Sequence, residues 1–98
     1  MKQLFIFLSL LVSVNTFGGL EDAIIIDVRS EGEFQQGHVK GSINMPLPTI
    51  TGQIHKIKGM KKPVVLCCAS GMRSGSATSI LKSAGVECYN GGSWMNLN

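Results

Sequence analysis

The sequence predicts a small α/β domain, in which a parallel β-sheet with a minimal set of elements is flanked by helices. Short apolar runs, several of them β-branched, alternate along the chain with segments whose apolar residues recur at three- and four-residue spacing. Such alternation favours a parallel sheet, because a parallel strand reaches its neighbour only through a crossover connection, which is usually a helix. The 98 residues are expected to form one compact domain.

The expected elements follow one another with little connecting chain. Val64–Cys68 is the clearest strand, because it is an apolar run introduced by Lys61-Lys62-Pro63. The clearest helix is the segment 73–84, which has one apolar face and is followed by the stop signal Gly85. In chain order, the sequence predicts a strand at 23–28, a helix at 31–36, a strand at 42–44, a helix at 49–57, a strand at 64–68, a helix at 73–84 and a strand at 86–89.

The most informative segment, Cys68-Ala69-Ser70-Gly71-Met72-Arg73, joins that strand to that helix. It lies at a helix N-terminus, where unpaired backbone N–H groups and the positive end of the helix dipole attract anions. Gly71 lets the backbone turn so that these groups point inward, and Arg73 adds a planar fork of donors suited to an oxyanion. A thiol in that field ionises more easily than a free cysteine, whose pKa is about 8.5. Cys68 is therefore the candidate nucleophile.

Cys67 offers a second way to count this loop. The spacing from Cys67 to Arg73 is Cys-x5-Arg, which phosphatases use to wrap a loop around phosphate. However, Cys67 continues the apolar strand, and we expect it to be held in the sheet. Leu66, rather than a histidine, precedes Cys67, which also disfavours a phosphatase.

Three blocks of the sequence resemble rhodanese-type sulfurtransferases. Cys68-Ala69-Ser70-Gly71-Met72-Arg73-Ser74 is similar to the family's active-site loop, Cys-x-x-Gly-x-Arg-Ser. Ile26-Asp27-Val28-Arg29, followed by Glu33-Phe34 and by the stretch from Gly37 to Pro46, resembles the Asp-Val-Arg and Gly-His-Ile-x-Gly-Ala-x-Asn-x-Pro segments. Gly91-Gly92-Ser93-Trp94 resembles the closing Gly-Gly-x-x-x-Trp motif, with the tryptophan closer. The resemblance covers roughly residues 22–98 and is nearest to the small periplasmic, single-domain thiosulfate sulfurtransferases of the phage-shock type.

This resemblance implies a sulfurtransferase of the thiosulfate type, which carries sulfane sulfur as a persulfide on Cys68. The implied partners are a small anionic sulfur donor and an acceptor that is cyanide or a thiol. Ala69, Ser70, Gly71 and Met72 would bind the donor through their backbone N–H groups, and Arg73 would orient it. No cofactor is implied, and the Cys and His spacings are not those of a metal site. A non-enzymatic module that binds or carries sulfur for a partner protein stays open as an alternative.

Polar residues after two other strands are expected to meet the loop, because ligands of open α/β sheets bind outside the carboxyl ends of the strands. Asp27 and Arg29 follow the first strand, and Trp94 follows the last one. We interpret Asp27 and Arg29 as an ion pair that holds loops together rather than as catalytic groups. Trp94 is expected either to form a wall of the pocket or to cap the core.

Residues 1–18 are expected to be a signal peptide, and residues 19–98 the domain. Lys2 supplies one positive charge before the apolar run from Leu4 to Val14. Thr16 and Gly18 are small residues of the kind found at a cleavage site. The apolar run is shorter than the roughly twenty residues that span a bilayer, so no stable membrane anchor is expected. These features predict a periplasmic or secreted protein. The alternative is a cytoplasmic protein in which the apolar run is a first helix or strand of the core.

Charge and cysteine content set the remaining expectations. The net charge of +3 is mild, and the lysines between 56 and 62 form no nucleic-acid motif, so no nucleic acid is expected as a partner. We expect a monomer. The chain has three cysteines, an odd number. A bridge between Cys67 and Cys88 stays open, because the two can lie on adjacent strands, although free thiols are expected.

Overall fold

The computed structural model describes residues 22–97, which fold into a parallel sheet flanked by helices. The predicted α/β class is therefore confirmed. The strands are β1 (Ile24–Asp27), β2 (Ile43–Asn44), β3 (Val64–Cys68) and β4 (Cys88–Ser93). The helices are α1 (Glu31–Gln36), α2 (Ile50–Met60) and α3 (Met72–Ser83), with short 3-10 helices at Leu47–Thr49 and Trp94–Leu97.

The strand order β2-β1-β3-β4 brings the expected site segments to one edge of the sheet. Asp27 at the end of β1 is in register with Asn44 of β2 on one side and with Cys67 of β3 on the other. Cys68, the last residue of β3, is in register with Ser93, the last residue of β4. Because all the pairings are parallel, the segments that leave these strands lie beside one another.

β4 is where the sequence prediction is wrong. The strand was expected at 86–89, but it begins at Cys88 and continues through the two glycines to Ser93. The pairing shifts between Leu66 and Cys67 of β3, which face Asn90 and Gly92, so that Gly91 is the extra residue of a β-bulge. A Cβ atom on Gly91 would lie 2.7 Å from a methyl carbon of Val65, so only glycine fits. The glycine pair is thus part of a strand rather than a loop.

The other differences are at the ends of elements. α1 and β3 have the predicted bounds, and β1 and β2 are shorter than predicted. α2 runs on to Met60, where Lys61 ends it in the left-handed conformation with φ 55°. The 3-10 helix at Leu47–Thr49 lies mostly in the connection expected between the strand at 42–44 and the helix at 49–57, and it leads directly into α2.

The core lies between the sheet and helices α2 and α3. α2 contributes Ile50 and Ile57, while α3 contributes Ala77 and Leu81, both of which are fully buried. The small buried residues of α3 allow that helix to approach the sheet closely. The buried apolar cluster consists of Ile26, Val28, Met45, Ile50, Ile57, Val64, Leu66, Cys68, Ala77, Leu81 and Cys88.

The register excludes the bridge between Cys67 and Cys88 that the sequence left open. Cys88 is opposite Val64, which is three residues before Cys67 on β3. Three residues of strand span about 10 Å, whereas bridged Cα atoms lie within about 7 Å. All three cysteines are buried free thiols, and the Cys88 thiol lies 3.5 Å from the carbonyl oxygen of Thr78.

The expected signal peptide lies outside the described residues, so it stays a prediction. Within residues 22–97, no helix combines the length and the apolar character that crossing a membrane requires.

Candidate active site

The sulfur of Cys68 lies at the N-terminus of α3, inside the loop that the sequence singled out. Cys68 as a whole is only 1% exposed, whereas the next two residues of the loop, Ala69 and Ser70, are exposed. The backbone N–H of Gly71 donates to Sγ at 3.0 Å, and the backbone N–H of Ser74 donates at 3.4 Å. Two backbone donors therefore converge on a sulfur that the loop covers.

This sulfur serves as the cap of helix α3. The N-cap residue Gly71 has φ 104° and no side chain, so it cannot cap the helix itself. Ser74 is the third residue of the helix, and its N–H is one of the donors that an N-cap side chain normally accepts. Because Cys68 Sγ accepts that bond, the positive end of the helix dipole faces the thiolate.

These contacts favour the thiolate form of Cys68. Burial acts to raise its pKa, but hydrogen bonds from the Ser74 hydroxyl and from the backbone N–H groups of Ser74, Gly71 and Ser70 outweigh burial and lower the pKa to about 7. The Ser74 hydroxyl lies 3.4 Å from Sγ. At neutral pH, a large fraction of Cys68 is therefore a nucleophilic thiolate.

Cys67, one residue earlier, has the opposite character. Its side chain points to the other face of the sheet and is fully buried beside Asp27. Burial, together with the negative charge of Asp27, raises its pKa to about 12. Cys67 is therefore a structural thiol, as expected of a residue held in the strand.

Arg73 forms an ion pair with Glu33 at the rim of the loop. Its two terminal nitrogens donate to the two carboxylate oxygens of Glu33 at 2.8 and 3.0 Å. This bidentate contact raises the pKa of Arg73 and lowers that of Glu33 to about 2, so the pair stays charged. Glu33 is fixed from the other side by a capping box with Ser30 at the start of α1. The guanidinium of Arg73 is thus bound to α1 through this ion pair.

Asn90 is a site residue that sequence reasoning missed, and Ser74, which the loop motif includes, contacts the sulfur in a way that was not predicted. Asn90 on β4 accepts a hydrogen bond from the Ser74 hydroxyl at 2.7 Å and donates one to the carbonyl oxygen of Gly71 at 3.0 Å. The family's loop pattern includes the serine after the arginine, which was a usable signal for Ser74. No sequence signal indicated Asn90, because the strand was expected to end at residue 89, whereas Asn90 lies within β4 and is in register with Leu66.

Asp27 and Arg29 form a buried ion pair beside the loop. Arg29 donates to both carboxylate oxygens of Asp27, with the shortest contact at 2.8 Å, and also to the carbonyl oxygen of Gly37 at 2.7 Å. Asn44 donates to the backbone oxygens of Asp27 and Arg29. The ring of Trp94 covers the pair, with its centroid 4.5 Å from the Arg29 guanidinium carbon. This cluster holds together the segments after β1, α1 and β4.

The remaining predicted binding residues lie on the loop surface. The Met72 side chain is 80% exposed, and those of Ala69 and Ser70 are also exposed. A separate cavity of about 220 Å³ lies at the opposite end of β3, between α2 and the start of β4, and contains none of the loop residues. Among residues 22–97, no three His, Cys, Asp or Glu side chains are grouped as metal ligands would be.

Fold and site together define a small parallel α/β protein with an activated thiol in a loop of backbone N–H groups. Residues 16–94 match the family described as "Rhodanese-like domain". Since this match covers most of the chain, the protein belongs to the rhodanese-like domain family.

Relatives and solved structures agree with this assignment. An uncharacterized protein, YqhL, of Bacillus subtilis is 40% identical over 73 residues, which are 74% of this chain and 57% of that protein. A tRNA sulfurtransferase of Thermoplasma acidophilum is 32% identical over 69 residues, which are 70% of this chain and 14% of that protein. The chain thus spans little more than half of the first relative and a small part of the second.

A solved structure titled "rhodanese with anions from E. coli" superimposes on this fold with a TM-score of 0.71 and 34% identity. The alignment covers 76% of this chain and 91% of that one. Sequence and fold therefore place the chain among sulfurtransferase-type domains.

Proposed function

We propose that the protein is a sulfurtransferase that moves sulfane sulfur from thiosulfate to cyanide or a thiol through a persulfide on Cys68. The observation that carries this proposal is the covered Cys68 sulfur, which accepts backbone hydrogen bonds from Gly71 and Ser74 and has a pKa of about 7. The family membership and a relative named as a sulfurtransferase support the same class of reaction.

In the first step, the Cys68 thiolate attacks the outer sulfur of thiosulfate. A bond forms between Sγ and that sulfur, and the bond between the two sulfur atoms of thiosulfate breaks. Sulfite leaves with the electron pair of the broken bond, so the Cys68 sulfur is oxidised to a persulfide while the donor is reduced to sulfite. The terminal persulfide sulfur carries the negative charge, which the loop N–H groups stabilise by electrostatic preorganisation.

In the second step, the acceptor attacks the terminal sulfur of the persulfide. With cyanide, a carbon–sulfur bond forms, the sulfur–sulfur bond breaks, and thiocyanate leaves. The electron pair of the broken bond returns to Cys68 as the thiolate. The first step requires no proton to be removed by a paired base, because much of Cys68 is already ionised at neutral pH. In the second step the acceptor reacts as the cyanide anion or as a thiolate.

A phosphatase that uses Cys67 is disfavoured by the environment of that residue. Its thiol lies on the other face of β3, is fully buried and has a pKa of about 12. A phosphatase nucleophile must be ionised and must face the loop that binds phosphate. Only Cys68 meets both requirements.

Intact mass spectrometry tests the proposed function. The protein is incubated with thiosulfate, and we expect a gain of one sulfur atom that is lost, with formation of thiocyanate, when cyanide is added. Cys68→Ser should gain no sulfur, while the matched variant Cys67→Ser should gain it. A protein that gains no sulfur from thiosulfate would contradict the proposal. A stable persulfide that neither cyanide nor a thiol removes would instead indicate a non-enzymatic sulfur carrier.

The proposed location is outside the cytoplasm, and the proposed oligomeric state is a monomer. The basis for the location is the order of Lys2, the apolar run and the small residues before Gly19. The proposed partners are small molecules, a sulfur-donating anion and a thiophilic acceptor.

A further inference from the structure

Asn90 connects β4 to the loop that holds the Cys68 sulfur. Its side-chain amide donates to the carbonyl oxygen of Gly71 at 3.0 Å and accepts from the backbone N–H of Gly92 at 3.0 Å. The same Asn90 oxygen accepts from the Ser74 hydroxyl at 2.7 Å. One side chain therefore touches the helix cap of α3, the bulge of β4 and a residue that contacts the sulfur.

The two backbone partners fix the orientation of this amide. Turning it over would point the amide oxygen at the carbonyl oxygen of Gly71 and the amide nitrogen at the N–H of Gly92. Both contacts would be repulsive, because each would pair two acceptors or two donors. The side-chain oxygen of Asn90 is consequently oriented toward Ser74 in this structure.

The Ser74 hydroxyl has one proton and two acceptors for it. The Asn90 oxygen is 2.7 Å away, and the Cys68 sulfur is 3.4 Å away on another side. While Cys68 is a thiol, the hydroxyl can donate to Asn90 and present its lone pair to the S–H group. Once Cys68 is a thiolate, the same proton stabilises the sulfur only by leaving Asn90.

We propose that Asn90 is a positioning residue that directs the Ser74 hydroxyl and thereby sets how readily Cys68 ionises and reacts. This inference rests on the proposed function, because it concerns the same nucleophile. Asn90 competes with the thiolate for one proton and so limits the stabilisation of the negative sulfur. A thiolate that is stabilised less stays a stronger nucleophile, because intrinsic nucleophilicity falls as the pKa falls.

The charged surroundings of Cys68 stay the same in the variants that test this idea. The charged group that acts on Cys68 is Arg73 on α3, which is paired with Glu33 on α1. Cys67 on β3 has a pKa of about 12 and stays a neutral thiol over the pH range of the test. On β1, Asp27 is paired with Arg29, and from Asn90 to Ser93 β4 contributes no titratable side chain. A change in the pKa of Cys68 on replacing Asn90 therefore reports on hydrogen bonds rather than on a lost charge.

The test is a double-mutant cycle read by alkylation. The rate of iodoacetamide modification at Cys68 is followed by mass spectrometry between pH 5 and pH 9 in Asn90→Ala, Ser74→Ala, the double variant and the unaltered protein. Because one hydrogen bond is redirected to the sulfur, we expect Asn90→Ala to lower the pKa of Cys68 by about half a unit to one unit when Ser74 is present. In the Ser74→Ala background, Asn90→Ala should not lower it.

Equal shifts in the pKa of Cys68 in the two backgrounds, or a rise in both, would overturn the inference. Asn90 would then only stabilise the conformation of the loop. If Asn90→Ala does not fold, Gly75→Ala replaces it in the cycle, because a Cβ atom there would lie 3.2 Å from the Asn90 amide nitrogen and would displace it. Alkylation needs no sulfur donor. The predicted pKa shift can therefore be absent in a protein that forms the persulfide, and it can be present in a protein that forms none.

Discussion

Two adjacent cysteines have opposite chemistry because strand geometry sends their side chains to opposite faces. Cys68 faces the N-terminus of α3 and accepts hydrogen bonds from the loop, whereas Cys67 is buried beside Asp27. Their pKa values of about 7 and about 12 follow from these different surroundings. The proposed nucleophile and a structural thiol are thus adjacent residues of one strand.

The pH dependence of thiol reactivity should show this difference directly. A lowered pKa means that Cys68 loses its proton as the pH rises through about 7, so its alkylation rate should increase about tenfold per pH unit below 7 and level off above it. Ser74→Ala removes the hydroxyl whose hydrogen bond lowers the pKa of Cys68 most, and it should move this transition to higher pH. A transition near the pH of a free cysteine in the unaltered protein would contradict the thiolate assignment.

Replacement of Cys68 and of Cys67 by serine should distinguish the thiol that reacts from the thiol that only supports the fold. We expect Cys68→Ser to lose sulfur transfer completely and to stay folded, because a hydroxyl is too weak a nucleophile here. Cys67→Ser should keep most of the activity, with lower stability, because it places a hydroxyl in a fully buried site. Thiocyanate production and urea unfolding of both variants provide the comparison. Equal loss of activity in two folded variants would show that the assignment of the nucleophile is wrong.

At the scale of elements, the loop is held from two sides. α1 contributes Glu33, which binds Arg73, and β4 contributes Asn90, which binds Gly71 and Ser74. Each contact joins elements that are far apart in the sequence. The shape of the loop therefore depends on the packing of α1 and β4 as well as on its own residues.

Arg73→Lys tests the contact with α1. Lysine keeps the positive charge but loses the planar fork that binds both oxygens of Glu33. We expect the KM for thiosulfate to rise several-fold, with a small change in the urea midpoint, because the side chains of the pair are 39% exposed. Glu33→Gln is the matched variant, because it keeps an acceptor for Ser30 while removing the charge. An unchanged KM in Arg73→Lys would assign Arg73 a purely structural role.

Gly91→Ala tests the bulge of β4. The new Cβ atom would lie 2.7 Å from a methyl carbon of Val65 and 3.1 Å from the carbonyl oxygen of Leu66. We expect a loss of about 1–3 kcal/mol in the free energy of unfolding, as in other overpacked cores. Gly52→Ala in α2 is the control, because nothing lies within 4 Å of its Cβ position; there we expect a gain of up to about 1 kcal/mol. A Gly91→Ala protein as stable as the unaltered one would contradict the close packing.

These elements also show what the sequence could predict. The strand β3 and the loop from Cys68 to Arg73 were predicted because their signals are local: an apolar run and a glycine at a helix start. Asn90 and the Glu33–Arg73 pair were not predicted, because they join residues 16 and 40 positions apart in the sequence. The glycine pair was assigned to a loop because a bulge requires a partner strand to be recognised.

At the scale of the whole molecule, the described elements contain every side chain that the proposed reaction uses. β1 begins at Ile24, and its first backbone hydrogen bond joins it to Pro63. The described residues supply the four strands of the sheet, the buried apolar cluster and the loop.

Removal of the expected signal peptide should therefore leave a working protein. A truncated protein that begins at Gly19 should fold and form the persulfide, and the protein recovered from its native host should begin near Gly19. N-terminal sequencing checks the second expectation, and intact mass after thiosulfate treatment checks the first. An intact Met1 together with an insoluble truncated protein would mean that Leu4 to Val14 belongs to the core.

The placement of the three cysteines has a consequence for the lifetime of the loaded state. Cys67 points to the opposite face of the sheet, and Cys88 lies beside Val64, four residues from Cys68, or about 13 Å along the strand. Since the chain has no other cysteine, a persulfide on Cys68 has no resolving thiol of its own within reach. In the proposed reaction, the domain therefore cannot release the sulfur by forming an internal disulfide, and only an incoming acceptor removes it.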